Sequence, residues 1–170
     1  MQRLAAGTPG DLMQAERDIR GRIGDQDLDF AALAAVASIH RAANVIRNHL
    51  EQQVLAGAEL SWAAFTVLFV LWIWGDQQTR YLAAEAGMTK GTLTGVLKTL
   101  EKRDLIRRRA HAGDGRLVLV SLEPAGQAAV ERLFPAFSAG GTQLSSGLDA
   151  GQKAQLSDLL RTVIRSVDGD

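Results

Sequence analysis

Apolar residues recur at three- and four-residue steps in two long stretches of the chain and fill a third almost without a break. Leu28, Ala32, Ala35, Ile39, Ala43, Ile46 and Leu50 mark one face of a helix predicted from Asp29 to about Leu55, with Gly57 as its terminator. Ser61 is placed to cap a second helix, Trp62 to Trp74. That segment is apolar nearly all round, so it is predicted to be buried on most sides, and Gly75-Asp76 ends it. Near the other end, Leu156, Leu159, Leu160, Val163 and Ile164 mark a last helix from about Asp149 to Val167.

Shorter elements lie between these. Residues 79–94 read as a helix, a glycine-marked turn at Gly87 and a second helix, with Thr79 and Thr89 as caps. In the second of these, Leu93, Val96, Leu97 and Leu100 form the inward stripe. Lys90, Thr94 and Lys98 share the outward one, with small neighbours Gly91 and Gly95 that permit close approach to a groove. Leu105-Ile106 and Leu117-Val118-Leu119-Val120 read as strands bracketing a turn at Gly113-Asp114-Gly115. Pro124 suits the first turn of a fifth helix reaching about Phe137, and the Gly/Ser-rich residues Ser138–Gly147 are expected to break it. Residues 1–26 form an extension, either a frayed tail or a short helix from Thr8-Pro9 with Leu12, Ile19 and Ile23 as its apolar face. Residues 27–170 are expected to form a single domain, mainly α with a small β-hairpin wing.

Charge changes the picture. The formal net charge is +0, which by itself argues against a nucleic-acid partner. Its distribution argues otherwise: Thr79–Arg116 holds nine Lys/Arg against four Asp/Glu, a net of +5, leaving −5 on the remainder. The order helix, turn, helix, arginine-rich hairpin is that of a winged helix-turn-helix, in which one helix enters a DNA groove while a basic wing grips the flanking backbone.

The chain has no cysteine, which excludes disulfides and thiol redox sensing and leads to the expectation of an intracellular, cytoplasmic setting. No continuous apolar h-region opens the chain, so no signal peptide is expected, and the longest apolar run, Ala63–Trp74, is too short to span a bilayer. His40, His49 and His111 lack metal-ligand spacing. No phosphate loop, nucleophile elbow or paired carboxylates appear. Neither cofactor, metal nor enzymatic activity is expected.

Leu60-Ser61-x-x-x-Phe65-x-Val67-Leu68, Tyr81-Leu82-Ala83, Thr89-Lys90-Gly91-Thr92-Leu93-Thr94, Leu100-Glu101-Lys102-Arg103-x-Leu105-Ile106, Arg108-Arg109-x-x-x-x-Asp114-x-Arg116 and Val120-Ser121-Leu122-x-x-x-Gly126, in that order, resemble the MarR family of bacterial transcription regulators. The resemblance covers roughly Leu60 to Gly126. It implies a homodimer with winged domains (residues 60–123) beneath a helical dimerisation region (27–59 and 124–170), binding palindromic operators, usually as a repressor. It also implies that small phenolic or other aromatic anions release the DNA from a site between the dimerisation helices and the winged domain. Four positions depart from the pattern: Ala64 for a common glutamine, Gly95 for a frequent recognition-helix arginine, Asp104 for glycine and Glu123 for a threonine cap.

The DNA-contact candidates are Thr79, Arg80, Thr89, Lys90, Thr92, Thr94, Lys98, Arg107, Arg109, Asp114 and Arg116. Arg107 and Arg109 alternate on a strand and should share a face, with Arg108 on the other. The resemblance suggests that Asp114 orients the wing while Arg116 enters or borders the minor groove. For a ligand, Trp62, Phe65, Phe69 and Trp72 form a stripe whose ordinary meaning is core packing; its alternative is the wall of an aromatic pocket. His40, Asn44 and Arg47 form a polar stripe that is either solvated or faces a small anion. Two other readings stay open: a small-molecule binder on the same scaffold with weak operator binding, and a constitutive DNA-binding protein without ligand.

Overall fold

The computed structural model describes residue 14 and residues 17–22, 29–111 and 114–168, excepting the side chains of 111–116 and 167–168. The chain divides into two compact units, residues 1–45 and residues 46–170. The division falls inside helix α1 (Phe30–Leu50) rather than at the expected end of the extension. In the first unit, residues 17–22 are helical and Ile19 is exposed. Arg20 lies 4.5 Å over the Phe30 ring. Asp29 caps α1, its carboxylate accepting from the Ala32 N–H at 2.9 Å. Thr8, Pro9, Leu12 and Ile23 lie outside the described residues.

The second unit begins with the end of α1, which widens into a π turn (Glu51–Leu55) and then tightens into a 3-10 turn (Ala56–Ala58). Gly57 is therefore not the terminator; it sits inside the 3-10 turn, and the chain reverses at Glu59, whose φ is 55°. Leu60 N–H donates to the Leu55 carbonyl at 3.2 Å and Glu59 N–H to that of Ala56 at 3.0 Å. Burial of Leu55 and Leu60 repays the left-handed strain, because the paired bonds bring these two leucines together at the helix end. Gly87 (φ 60°) and Asp104 (φ 53°) end their helices through the same two-bond pattern. The Arg103 guanidinium joins two of these ends, donating to the Glu59 carbonyl at 2.7 Å and the Ala58 carbonyl at 3.0 Å.

Helix α2 (Trp62–Trp74) is capped by Ser61, which accepts from the Ala64 N–H at 3.2 Å. Its one hydroxyl, on Thr66, donates to the Trp62 carbonyl at 2.9 Å and so adds no unmet polar group. Gly75 (φ 72°) closes the helix. Thr79 is not a cap but the first residue of α3 (Thr79–Glu85); Gln78, the last residue of strand β1 (Gln77–Gln78), stands at the N-cap and makes no side-chain capping bond. Helix α4 (Lys90–Lys102) starts at Thr89, whose side chain accepts from the Thr92 N–H. Strands β2 (Ile106–His111) and β3 (Asp114–Leu122) form the hairpin and extend well beyond the apolar residues that announced them. Asp114 and Gly115 belong to β3, not to the turn. The sheet is antiparallel with order β1-β3-β2.

Helix α5 (Pro124–Leu144) runs past Phe137 through Gly140 and Gly141 and ends at Ser145, so the break comes late in the Ser138–Gly147 stretch expected to hold it. The approach there is close: a Cβ on Gly140 would lie 2.5 Å from Leu50 Cδ2, so a larger residue would make the Leu50 side chain shift. Thr142 and Ser145 hydroxyls donate back to the Ser138 and Gly141 carbonyls. Helix α6 (Ala150–Asp168) opens with a reciprocal cap, Gln152 N–H to the Asp149 carboxylate at 2.8 Å and Asp149 N–H to Gln152 Oε1 at 2.9 Å. Among the described residues no single helix is long and apolar enough to cross a membrane.

One glycine fixes where α5 meets the wing root. A Cβ on Gly126 would stand 2.0 Å from the Leu105 carbonyl oxygen, which already accepts the Glu123 N–H at 3.1 Å. Gly126→Ala must therefore push α5 off the α4–β2 junction, at a cost of about 1–3 kcal/mol or more. Gly95→Ala meets nothing within 4 Å and replaces glycine inside a helix, so it should stabilise by about 0.5–1 kcal/mol. Thermal melts of the two variants should shift in opposite directions; a shift of the same sign in both would contradict this packing.

Candidate nucleic-acid interface

Leu93, Leu97 and Leu100 are buried on the inner face of α4, which leaves Lys90, Gly91, Thr94, Gly95 and Lys98 exposed on the outer one. The predicted stripes are both present. Thr89 and Thr92 hydroxyls lie 3.0 Å apart at the helix start, so Thr92 supports the cap. The Thr94 hydroxyl donates to the Lys90 carbonyl at 2.8 Å, leaving its methyl group and a lone pair to face outward. Among the described residues Lys90 and Lys98 make no ion pair, so two cations on a side-chain-poor helix face stand open to phosphates. Arg80, at the start of α3, donates to the Tyr81 hydroxyl at 2.8 Å and lies 4.5 Å over that ring. Thr79 is half-buried beside it.

The strand register confirms the alternation of the wing arginines. Arg107 stands opposite Ser121 and Arg109 opposite Leu119, whereas Arg108 stands opposite the buried Val120. What the sequence did not disclose is that each arginine meets a carboxylate from another element. Arg107 Nε lies 3.1 Å from Glu123, the residue before α5. Arg108 Nε donates to Glu101 of α4 at 2.9 Å, and its NH2 group contacts the same oxygen. Arg109 reaches Asp76, between α2 and β1, at 2.5 Å. The Arg108 hydrogen bonds hold the Glu101 carboxyl below the ordinary carboxylate range, and Glu101 in turn raises Arg108. Asp114 and Arg116 begin β3, but their side chains lie outside the described residues. Arg103 belongs with the fold rather than the interface, since its guanidinium is spent on the Ala58 and Glu59 carbonyls.

The aromatic candidates are brought together, and α5 fills the space between them. Phe137 lies 4.8 Å from Phe65 and 5.6 Å from Trp62 by ring centroids. Phe134 lies 5.7 Å from Phe69 and 5.5 Å from Trp72. These are packing distances for aromatic pairs. Phe134 and Phe137, at i and i+3 on α5, are the partners the sequence reading missed. Of the polar stripe, His40 and Asn44 belong to the first unit, where the Asn44 amide nitrogen lies 2.8 Å from His40 Nε2, and Arg47 belongs to the second. An open groove of about 460 Å³ lies elsewhere, where Glu101 and Asp104 meet Ile106, Arg107 and Glu123. Its carboxylates suit an anion poorly.

The geometry is that of a helix-turn-helix followed by a wing, and comparison with known proteins agrees. The MarR family model matches residues 60–118. The uncharacterised HTH-type transcriptional regulator YwaE of Bacillus subtilis (strain 168) is 37% identical over 138 residues, 81% of this chain and 81% of its own. The solved structure of Bordetella bronchiseptica BpsR, whose DNA binding is regulated by 6-hydroxynicotinic acid, superposes with a TM-score of 0.70 at 26% identity, covering 76% of this chain and 97% of its own. A mutant MarR from E. coli complexed with operator DNA shares the fold, with a TM-score of 0.73 at 24% identity over 81% of this chain and 99% of its own. With its buried α4 stripe, its open lysine face and an arginine-bearing hairpin in the family's order, this chain belongs to the MarR family of DNA-binding transcription regulators and is not an enzyme.

Proposed function

We propose that the chain is a homodimeric, cytoplasmic repressor that holds a palindromic operator and lets it go on binding a small aromatic anion. The observation that carries the DNA part is the outer face of α4, where Lys90 and Lys98 flank Thr94 over glycine-lined backbone. Lys90, Lys98, Arg80 and Arg116 meet phosphate or groove edges, Thr94 offers its methyl group to a base, and Thr79, Thr89, Thr92, Arg107, Arg109 and Asp114 border the contact. Each phosphate contact removed lowers the slope of log K against log salt by about one unit. Operator titrations of Lys98→Ala and Arg116→Ala over several salt concentrations should show that fall; slopes equal to the parent's in both would take these residues off the contact list.

The dimer rests on faces that this chain leaves open. Leu33, Val36 and Val45 are exposed on α1, and Leu156, Leu159, Val163 and Ile164 on α6. Stripes of this size at helical spacing mark interaction surfaces. Residues 27–59 and 124–170 accordingly form the dimerisation region. Two-fold symmetry then sets the two α4 helices about 34 Å apart, one turn of DNA. Leu159→Glu with Val163→Glu, both at exposed positions, should give a folded monomer by sedimentation with far weaker operator binding; an intact dimer would reject this interface.

The ligand part is supported by BpsR and its aromatic acid, and by the stripe Trp62, Phe65, Phe69 and Trp72 within the second unit. A specific observation favours a second reading, a constitutive DNA binder: Phe134 and Phe137 already pack into that stripe. A ligand must then displace those rings and bind the DNA-incompetent arrangement better, with coupling of about 1–3 kcal/mol weakening the operator complex roughly 5- to 150-fold. Tryptophan fluorescence titrated with aromatic acids, 6-hydroxynicotinic acid first, is run beside operator release. Quenching with release supports the sensor; no quenching, or quenching without release, supports the constitutive reading.

A further inference from the structure

We propose that Glu101 is a positioning residue for the wing: its ion pair with Arg108 sets the pitch of the hairpin against the recognition helix. The proposal builds on the DNA-binding reading above. Helix α4 is anchored by Leu93, Leu97 and Leu100, so its last turn is a fixed point. The chain leaves it through the left-handed Asp104 and enters β2 almost at once. Ile106 and Val120 seat the root of the hairpin in the core. One step further out on the same face stands Arg108, opposite Val120, with Nε and NH2 on one Glu101 oxygen. Beyond that pair the same face carries Ala110 and Val118, both exposed. The Arg108–Glu101 bond is thus the outermost described contact between this face of the hairpin and α4.

A contact at a fulcrum acts through leverage. Arg116 lies four residues beyond Val120 on β3, about 13 Å along the strand, so a tilt of ~10° at the pair moves it by ~2 Å. A binding constellation tolerates about 0.5 Å. The pair itself contributes little stability, because its side chains are 34% and 36% exposed. Its geometry is nevertheless specific: a guanidinium fork against one carboxylate oxygen fixes direction as well as distance.

Charge makes the test decisive. Glu101 follows Lys98 by less than one turn of the recognition helix, so a carboxylate there repels the phosphates. If repulsion is its whole effect, Glu101→Gln binds operator more tightly. Positioning predicts the reverse: affinity weaker by about five- to tenfold, with the melting temperature close to the parent's. Arg116→Ala, made in the parent and in Glu101→Gln, separates the two readings. In the parent it tests whether the wing meets DNA at all; in Glu101→Gln it should cost much less, because a tilted wing no longer seats Arg116. The exchanged pair, Glu101→Arg with Arg108→Glu, keeps the net charge and should recover much of the lost affinity. Equal or tighter binding by Glu101→Gln, strict additivity with Arg116→Ala, or no recovery in the exchanged pair would overturn the assignment.

Discussion

The second unit is organised by the need to cover α2. This helix of 13 residues has one hydroxyl and otherwise apolar side chains, and most of it is covered, with only Ile73 and Trp74 of its last turn exposed. Burying each large apolar side chain stabilises by about 1.5–3 kcal/mol, so a helix of this kind recruits neighbours on all sides. Val67, Leu68, Val70 and Leu71 are buried in one core with Leu82 of α3, Leu93, Leu97 and Leu100 of α4, Val120 of β3 and Val130 of α5. The exposed face of α4, proposed above to read DNA, is therefore a by-product of which side α2 requires. Once the leucines turn inward, the lysines and glycines have only the outer side left.

The junctions between these elements are as constrained as their packing. Glu59, Gly87 and Asp104 each reverse the chain through left-handed residues, and two of the three are not glycine. Their strain is held by paired backbone bonds. Arg103 adds a cross-tie by sharing its guanidinium between two carbonyls of the first junction, which lie 44 and 45 residues away in sequence. The approach of Gly126 to the Leu105 carbonyl completes the set, because it leaves α5 no room to slide along the wing root. Helix position, not helix formation, is what these contacts determine.

Legibility in the sequence followed the range of the interaction. The α4 stripes, the Ser61 and Thr89 caps, the Gly75 stop and the Arg107/Arg109 alternation depend on neighbours within a few residues, and all are present. β1 was not legible, since two glutamines carry no strand signal and become a strand only by pairing with Leu119 and Val120. Gly57 misled because it looked the better terminator, whereas burial of Leu55 and Leu60 places the stop at Glu59. The Ser138–Gly147 stretch was legible only in part, since the helix runs on through its two glycines and ends at Ser145. Phe134 and Phe137, and the carboxylates at 76, 101 and 123, are partners across the fold that periodicity does not reveal.

Those carboxylates also reconcile a formal net charge of +0 with a nucleic-acid partner. Before DNA arrives, Arg107, Arg108 and Arg109 are each neutralised within the fold. A phosphate that takes one of them must displace a carboxylate, so the exchange yields less than capture of a free cation would. Among the described residues Lys90 and Lys98 have no such competitor. Non-specific attraction, which scales with the number of counterions released, is thereby held down. On the proposed reading, what remains is weighted toward the fit of α4 in a groove, with glycines at 91 and 95 and the exposed Thr94 on its outer face. On that reading the protein relies on the relative placement of helix and wing more than on total charge, and that placement is what a neighbouring ion pair sets.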